Sequence, residues 1–533
     1  MLKSVAFYPE YLPKDMWRTG MKQVKDGGID MIRFGEFAWG LIQPDEGAFN
    51  WQVFDEAFDM AAEEGLKIVL GTPTATPPIW LSEKYPDSLP VNEDGNTITF
   101  GGRQHRCYNS PSYIKYTKIL VEAMAERYGK RENLFAWQID NELGAEQKYC
   151  HCPMCRAKFQ AALKAKYGTV EALNERWLNT FWAQSYQRFD QIETPRDNGA
   201  YLPVRPHPSL VYEFLRFSSD SIVEYAHMQY DCIRQFSDAP ITTNQDDFSM
   251  ADNTNWFDMF GKLDIAAFDI YSSKLYEIGF YFDLARSIHN KPSWILEYGT
   301  GFNMLNDMLN LAAQKECELV GLFAFHPFVA GQEQGQFGLV DVYGKPSANY
   351  SVFRDFAPKP CKAQKKLLFH YDFESSWAYA AAEHHTWEEG FAKRQSKLVY
   401  QRYMIHTVYH AAYEAGFGAD FPQSLDGYGK NDVLVMPMQI IYKEAFAAEL
   451  LAFLQRGGRV LTTNDLFLKN EDDAFNYGPT SFHRAIMGDN PEIVADTDAA
   501  VLRECHVGEG CVTIISKNAE ISDWHAIFKS LQK

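Results

Sequence analysis

Short apolar runs that end in polar residues recur along the first ~350 residues, separated by stretches of helical periodicity, the rhythm of alternating strands and helices. The runs fall at 4–7, Asp30–Glu36, Lys67–Thr72, from Leu134, Ile241–Asn244, Ile265–Tyr271, Ser293–Tyr298 and Val320–Pro327. Helical patterning covers Lys14–Lys25, Phe54–Glu64, Tyr113–Tyr128 and Leu210–Phe236. Runs that are apolar at successive positions fit strands buried on both faces, as in parallel sheets covered by helices. The pattern predicts an α/β protein whose first part, 1–357, is a (β/α)8 TIM barrel carrying a long insertion after Glu142.

Past Tyr350 the pattern changes. Pro358-Lys-Pro360 reads as a linker. Leu368–Asp372, a helix over Tyr400–Ala415, Asp432–Pro437, a helix over Ala445–Arg456 and Arg459–Thr463 follow. This strand–helix rhythm predicts a smaller α/β domain over 363–487 with a mostly parallel sheet. It has no Gly-rich phosphate loop, so no nucleotide is expected. Residues 488–533 read as a short C-terminal β-rich tail with about three strands.

Of 533 residues, 46% are hydrophobic and 23% charged, as in globular proteins that fold in water. No apolar segment reaches the ~18 residues of a spanning helix, and the first residues show no secretory pattern. Lys plus Arg is 51 against 70 Asp plus Glu, a net charge of −19. That balance disfavours nucleic acid and anionic membranes and suits a neutral ligand. Aromatics make up 15% of the chain, enough to supply ring faces for a sugar cleft as well as the core. The expected location is cytoplasmic.

In a barrel of this type chemistry gathers at the carboxyl ends of the strands. The run from Leu134 ends in Asn141 and Glu142; the run Pro292–Gly299 delivers Glu297. Two strand-end carboxylates are what glycoside hydrolysis requires, one protonated and one ionised. Spacing alone leaves open which does what. Arg103 and Glu333 could bind sugar hydroxyls by charge-assisted hydrogen bonds, while Arg33 and Asp269 read as internal braces of the barrel mouth. His326 reads as a satisfied histidine of the barrel rim.

Nine cysteines are unevenly spread. Cys150, Cys152 and Cys155 form a C-x-C-x-x-C core, and Cys107 lies in an earlier loop. Four such sulfurs would close a tetrahedral structural zinc site, with His151 as an alternative to Cys107. Cys232, Cys317, Cys361, Cys505 and Cys511 read as small core residues. The histidines show no H-E-x-x-H spacing, so no catalytic metal is expected.

Several stretches together resemble the family 42 glycoside hydrolases, mostly β-galactosidases. They are Phe34-Gly-Glu-Phe-Ala-Trp39, Gln43-Pro-Asp-Glu-Gly47, Leu70-Gly-Thr-Pro-Thr-Ala-Thr-Pro-Pro78, Trp137-Gln-Ile-Asp-Asn-Glu-Leu-Gly144 and the cysteines 107, 150, 152 and 155. The resemblance implies a retaining exo-glycosidase for β-galactosides in small oligosaccharides, with Glu142 as acid/base and Glu297 as nucleophile. It implies structural zinc on the four cysteines, no catalytic cofactor, and sugar contacts from Arg103, Asn141, Tyr271 and Glu333. It also implies a second domain of the class I glutaminase or flavodoxin-like trimerisation type, hence a homotrimer. The family's C-terminal β-sandwich is expected to be short or absent. Two positions depart from the family: Met304 stands about where a sugar-binding tryptophan is usual, and Gln336 where a histidine is. Both are expected at the substrate, and they bring other sugars into view: a β-mannoside, an α-L-arabinopyranoside or a β-fucoside. A non-catalytic sugar-binding protein is the reading from another class.

Overall fold

The structure is a computed structural model describing residues 1–196, 206–248, 253–360, 364–381, 399–488 and 499–532. The chain divides into two compact units, Met1–Cys155 with Ser218–Cys361, and Arg156–Phe217 with Lys362–Lys533. The insertion beyond the cysteines therefore groups with the second unit rather than with the barrel.

In the first unit, parallel strands close into a barrel. They are β1 (Leu2–Ala6), β2 (Met31–Phe34), β3 (Lys67–Gly71), β4 (Leu134–Gln138), β5 (Ile241–Thr242), β6 (Asn244–Gln245), β7 (Ala267–Ile270), β8 (Trp294–Tyr298) and β9 (Leu319–Leu322). The order β5-β4-β3-β2-β1-β9-β8-β7-β6 begins and ends on two pieces of one strand, broken at Thr243. Trp137 pairs with Ile241 on one side of the break and Asn244 with Ala267 on the other, so eight barrel positions close the ring.

Alternation within the strands sets the contents of the barrel. Met31, Val69, Ala136, Ala267, Trp294, Leu296 and Leu319 form one buried apolar cluster. Two residues further along their strands, Arg33, Gln138 and Asp269 replace apolar side chains with polar ones, all buried. Glu297 reaches the same level by a different route. The register between β7 and β8 runs from Phe268–Ile295 to Asp269–Glu297, so Leu296 is an extra residue, a bulge that re-aims the next side chain. Gly71, at the end of β3, lies against the loop after β2. A Cβ there would stand 2.7 Å from the Glu36 backbone nitrogen.

The second unit holds a six-stranded sheet. Its strands are β10 (Lys366–Phe369), β11 (Gly418–Asp420), β12 (Val433–Met436), β13 (Arg459–Thr463), β14 (Val501–Val507) and β15 (Gly510–Ile515), in the order β11-β10-β12-β13-β15-β14. All pairings are parallel except β14 with β15. Leu450, Phe453 and Leu454 of the helix Glu444–Gln455 share a core with Leu434, Met436, Val460 and Ile514.

The C-terminal stretch read as a short β-rich tail supplies two of these strands. β15 extends the sheet beside β13, with β14 as its antiparallel edge. A third strand is absent from the described residues; Ile521–Ser530 is a helix. Trp524 and Phe528, four apart, are its buried face, and Glu520 and Asp523 form a capping box at its start. Cys361 lies outside the described residues. No helix among the described residues is long and apolar enough to cross a membrane.

Candidate active site

β4 ends at Gln138, and the chain turns sharply to present Glu142. Asp140 and Glu142 both take left-handed backbone angles, φ 54° and 45°. Such angles cost non-glycine residues energy and persist only where the surroundings impose them. Here they do. The Asp140 carboxylate binds buried Arg106 (2.7 Å) and accepts from the Asn141 N–H (2.8 Å) and the Thr74 hydroxyl (2.5 Å). The Gln104 side-chain amide donates to the carbonyls of Asn141 (3.1 Å) and Glu142 (2.8 Å). Asn244, at the broken fifth strand, accepts from the Glu142 N–H at 3.2 Å and donates to Asn141 Oδ1 at 2.8 Å and Asp269 Oδ2 at 2.6 Å.

The two glutamates stand in contrasting surroundings. Glu142 is 4% exposed, with Arg103 Nη1 at 2.9 Å and the Asn141 amide at 3.2 Å from Oε2. Burial pushes its carboxyl up to about 7; Arg103 opposes this, and the charge of Glu297 adds to it. Glu297 accepts from Arg33 Nη2 at 2.5 Å on Oε1 and from the Tyr271 hydroxyl on Oε2. Arg33 is itself held, by Gln138 Oε1 at 2.8 Å and Glu36 at 3.0 Å. Asp269 lies beneath; burial, then Glu297 and Glu142, hold its carboxyl well above the usual carboxylate range. Carboxylate oxygens of Glu142, Asp269 and Glu297 all lie within 4.8 Å of one another.

Above them opens a cavity of about 290 Å³. Of the residues singled out in the sequence, Arg103, Glu142, Tyr271, Glu297, Glu333 and Gln336 line it. Asn141 does not, and acts on Glu142 and Asn244 instead. Met304, half-buried ahead of the helix Leu305–Gln314, is also not among the lining residues. Burial raises the Glu333 carboxyl while Arg103 opposes the rise. The remaining walls are Phe37, Phe323 and Phe337, with Asp246 and Asp247. His326 is buried off this cavity beside Phe7 and Phe325, and its Nε2 has no hydrogen-bond partner among the described residues, so it is not the satisfied rim histidine expected. A larger open hollow, about 740 Å³, belongs to the second unit and contains none of the strand-end acids.

The sulfurs of Cys107, Cys150, Cys152 and Cys155 converge within 4.8 Å of one another. Cys107 Sγ is 3.7 Å from Cys152 Sγ and 3.4 Å from Cys155 Sγ. A tetrahedral zinc with four thiolates at ~2.3 Å spaces its sulfurs about 3.8 Å apart, so the donor set fits a structural ion. Cys107, rather than His151, completes the quartet. The Asn109 amide (3.3 Å from Cys155 Sγ) and the Cys155 N–H (3.4 Å from Cys152 Sγ) donate to sulfur, as around metal-bound thiolates.

The profile of a family described as beta-galactosidase matches residues 6–334, and one described as beta-galactosidase trimerisation domain matches 368–530. A beta-galactosidase of Clostridium cellulovorans is 30% identical over 491 residues, 87% of this chain and 72% of that protein. One from a Thermus species is 32% identical over 414 residues, 70% of this chain and 63% of that protein. Among solved structures, the beta-galactosidase of the Antarctic haloarchaeon Halorubrum lacusprofundi superposes with a TM-score of 0.88 at 26% identity, covering 100% of this chain and 89% of that one.

Proposed function

Because the chain belongs to glycoside hydrolase family 42, the beta-galactosidase family, we propose that it removes terminal β-D-galactosyl residues from small oligosaccharides by double displacement. The observation that carries the reading is the convergence of the two strand-end glutamates on one cavity, with one oxygen of each within 4.8 Å of the other. So close an approach is compatible with the ~5–5.5 Å carboxyl spacing of retaining enzymes.

The chemistry follows from the two surroundings. Glu142, raised to about 7, is protonated near neutral pH and gives its proton to the glycosidic oxygen as the bond to the anomeric carbon breaks. Glu297, oriented by Arg33 and Tyr271, attacks that carbon and forms a covalent glycosyl–enzyme. Glu142, now a carboxylate, takes a proton from water, which displaces Glu297 and restores the starting anomeric configuration. Arg103 and Glu333, with Gln336, supply polar contacts to the sugar, and the phenylalanine walls supply apolar faces. The cavity's size, at the low end of ligand sites, suits a chain end rather than a polysaccharide groove.

The four cysteines would hold a structural zinc that takes no part in the chemistry. Thiolates kept for metal binding belong in a reducing compartment, which supports a cytoplasmic enzyme. The match of 368–530 to a trimerisation domain supports a homotrimer, to be checked by light scattering.

A second reading keeps the mechanism and changes the sugar to a β-mannoside, an α-L-arabinopyranoside or a β-fucoside. Gln336, in the cavity wall where the family usually has histidine, favours it. Initial rates on a panel of nitrophenyl glycosides separate the readings. Preference for galactoside supports the first; a much faster rate on another sugar replaces it with the second. No turnover of any glycoside would leave a sugar-binding protein.

A further inference from the structure

We infer that Asp246 is a further substrate-binding residue of this cavity, the hydrogen-bonding partner of a sugar hydroxyl. The inference rests on reading the cavity as a glycoside subsite.

Asp246 directly follows β6 and lines the cavity, yet it is only 3% exposed. Its position is fixed on both sides. The preceding Gln245 amide donates to the Leu143 carbonyl at 3.1 Å, tying this strand end to the turn that carries Glu142. Its own Oδ1 accepts from the Asp247 N–H at 2.8 Å. Oδ2 is buried and has no partner among the described residues.

That oxygen stands out at the barrel mouth. Glu142 is bound by Arg103 and Asn141, and Glu297 by Arg33 and Tyr271. Glu36 and Asp269 also keep one unpartnered oxygen each, but neither lines the cavity. A buried carboxyl oxygen without a partner costs stability, so a ligand that supplies the missing bond binds against a prepaid penalty. Burial, reinforced by Glu142 and Asp247, keeps the Asp246 carboxyl well above its usual range. A neutral carboxylic acid both donates and accepts, as a hydroxyl does, and it adds no negative charge beside Glu297.

The test compares wild type with Asp246→Ala on the preferred nitrophenyl glycoside and on its singly deoxygenated analogues. The expected result is a fall of about ten- to a hundredfold in kcat/KM on the parent, shrinking to within about twofold on the one analogue that lacks the partner hydroxyl. Equal penalties across the series, or none, overturn the inference. If Asp246→Ala fails to fold, Asp246→Ser keeps a hydroxyl for the Asp247 N–H but is too short to reach the ligand, and the same comparison applies. Wild-type turnover of the parent checks the glycosidase reading separately. If wild type turns over no glycoside, that reading falls and this inference with it.

Discussion

Arg33 donates to Glu297 across 2.5 Å, both side chains buried in the barrel. The same guanidinium nitrogen stands 3.0 Å from Glu36 and donates to the Tyr8 hydroxyl at 3.1 Å. One cation thus serves two buried carboxylates, and it fixes the oxygen that would attack the anomeric carbon.

Removing that cation should damage fold and chemistry together. Arg33→Ala leaves Glu36 and Glu297 facing each other without a counter-charge, and about 3–5 kcal/mol of stability should be lost. Arg33→Lys keeps the charge without the planar fork and should fold, with kcat down about a hundredfold. Urea unfolding and initial rates read the two effects; an unchanged kcat in the lysine variant would remove Arg33 from the mechanism.

The basic limb of the pH profile should belong to Glu142. Its carboxyl, raised to about 7, is protonated below that pH and ionised above it. On substrates with poor leaving groups kcat/KM should therefore fall as pH rises through about 7, toward tenfold per unit. Glu142→Gln should abolish this limb. A limb that survives the substitution would place the acid elsewhere.

Glu297→Gly should lower kcat about a thousandfold or more. Added azide should restore turnover and yield a glycosyl azide of inverted configuration. Recovery without inversion would deny Glu297 the role of nucleophile.

Purified protein should carry about one zinc per chain by elemental analysis. Cys107→Ser or Cys152→Ser should lower the unfolding midpoint by about 5 °C or more. The chemistry needs no metal, so the folded variants should keep kcat within about tenfold of wild type. Metal-free protein of unchanged stability would refute the site.

Much of the barrel was legible because strands buried on both faces have to be apolar at successive positions, and polar residues mark where they end. Glu142 and Glu297 stand at two such ends. The bulge at Leu296, which brings Glu297 level with Asp269, leaves no trace in hydropathy. Phe37, Phe323 and Phe337 were not foreseen as cavity walls, although Phe37 sits inside one of the recognised motifs. Aromatic residues in loops have no periodicity, and their role depends on which loop ends converge. In the sequence Asn244 only marks the end of the fifth strand; its three bonds form at the break at Thr243. Counting along a loop puts Met304 near the substrate, but a loop does not conserve direction as a strand does. The final helix was hidden because only Trp524 and Phe528 mark its face after two true strands.

A zinc ion on the cysteine quartet would fasten together the loops that leave β3 and β4. Cys107 lies downstream of Arg103 in one, and Cys150 downstream of Glu142 in the other. Metal occupancy and sugar affinity would then be thermodynamically linked. A bound sugar that draws Arg103 and Glu142 together should slow the loss of zinc to a chelator. By reciprocity, zinc should tighten the sugar by the same factor.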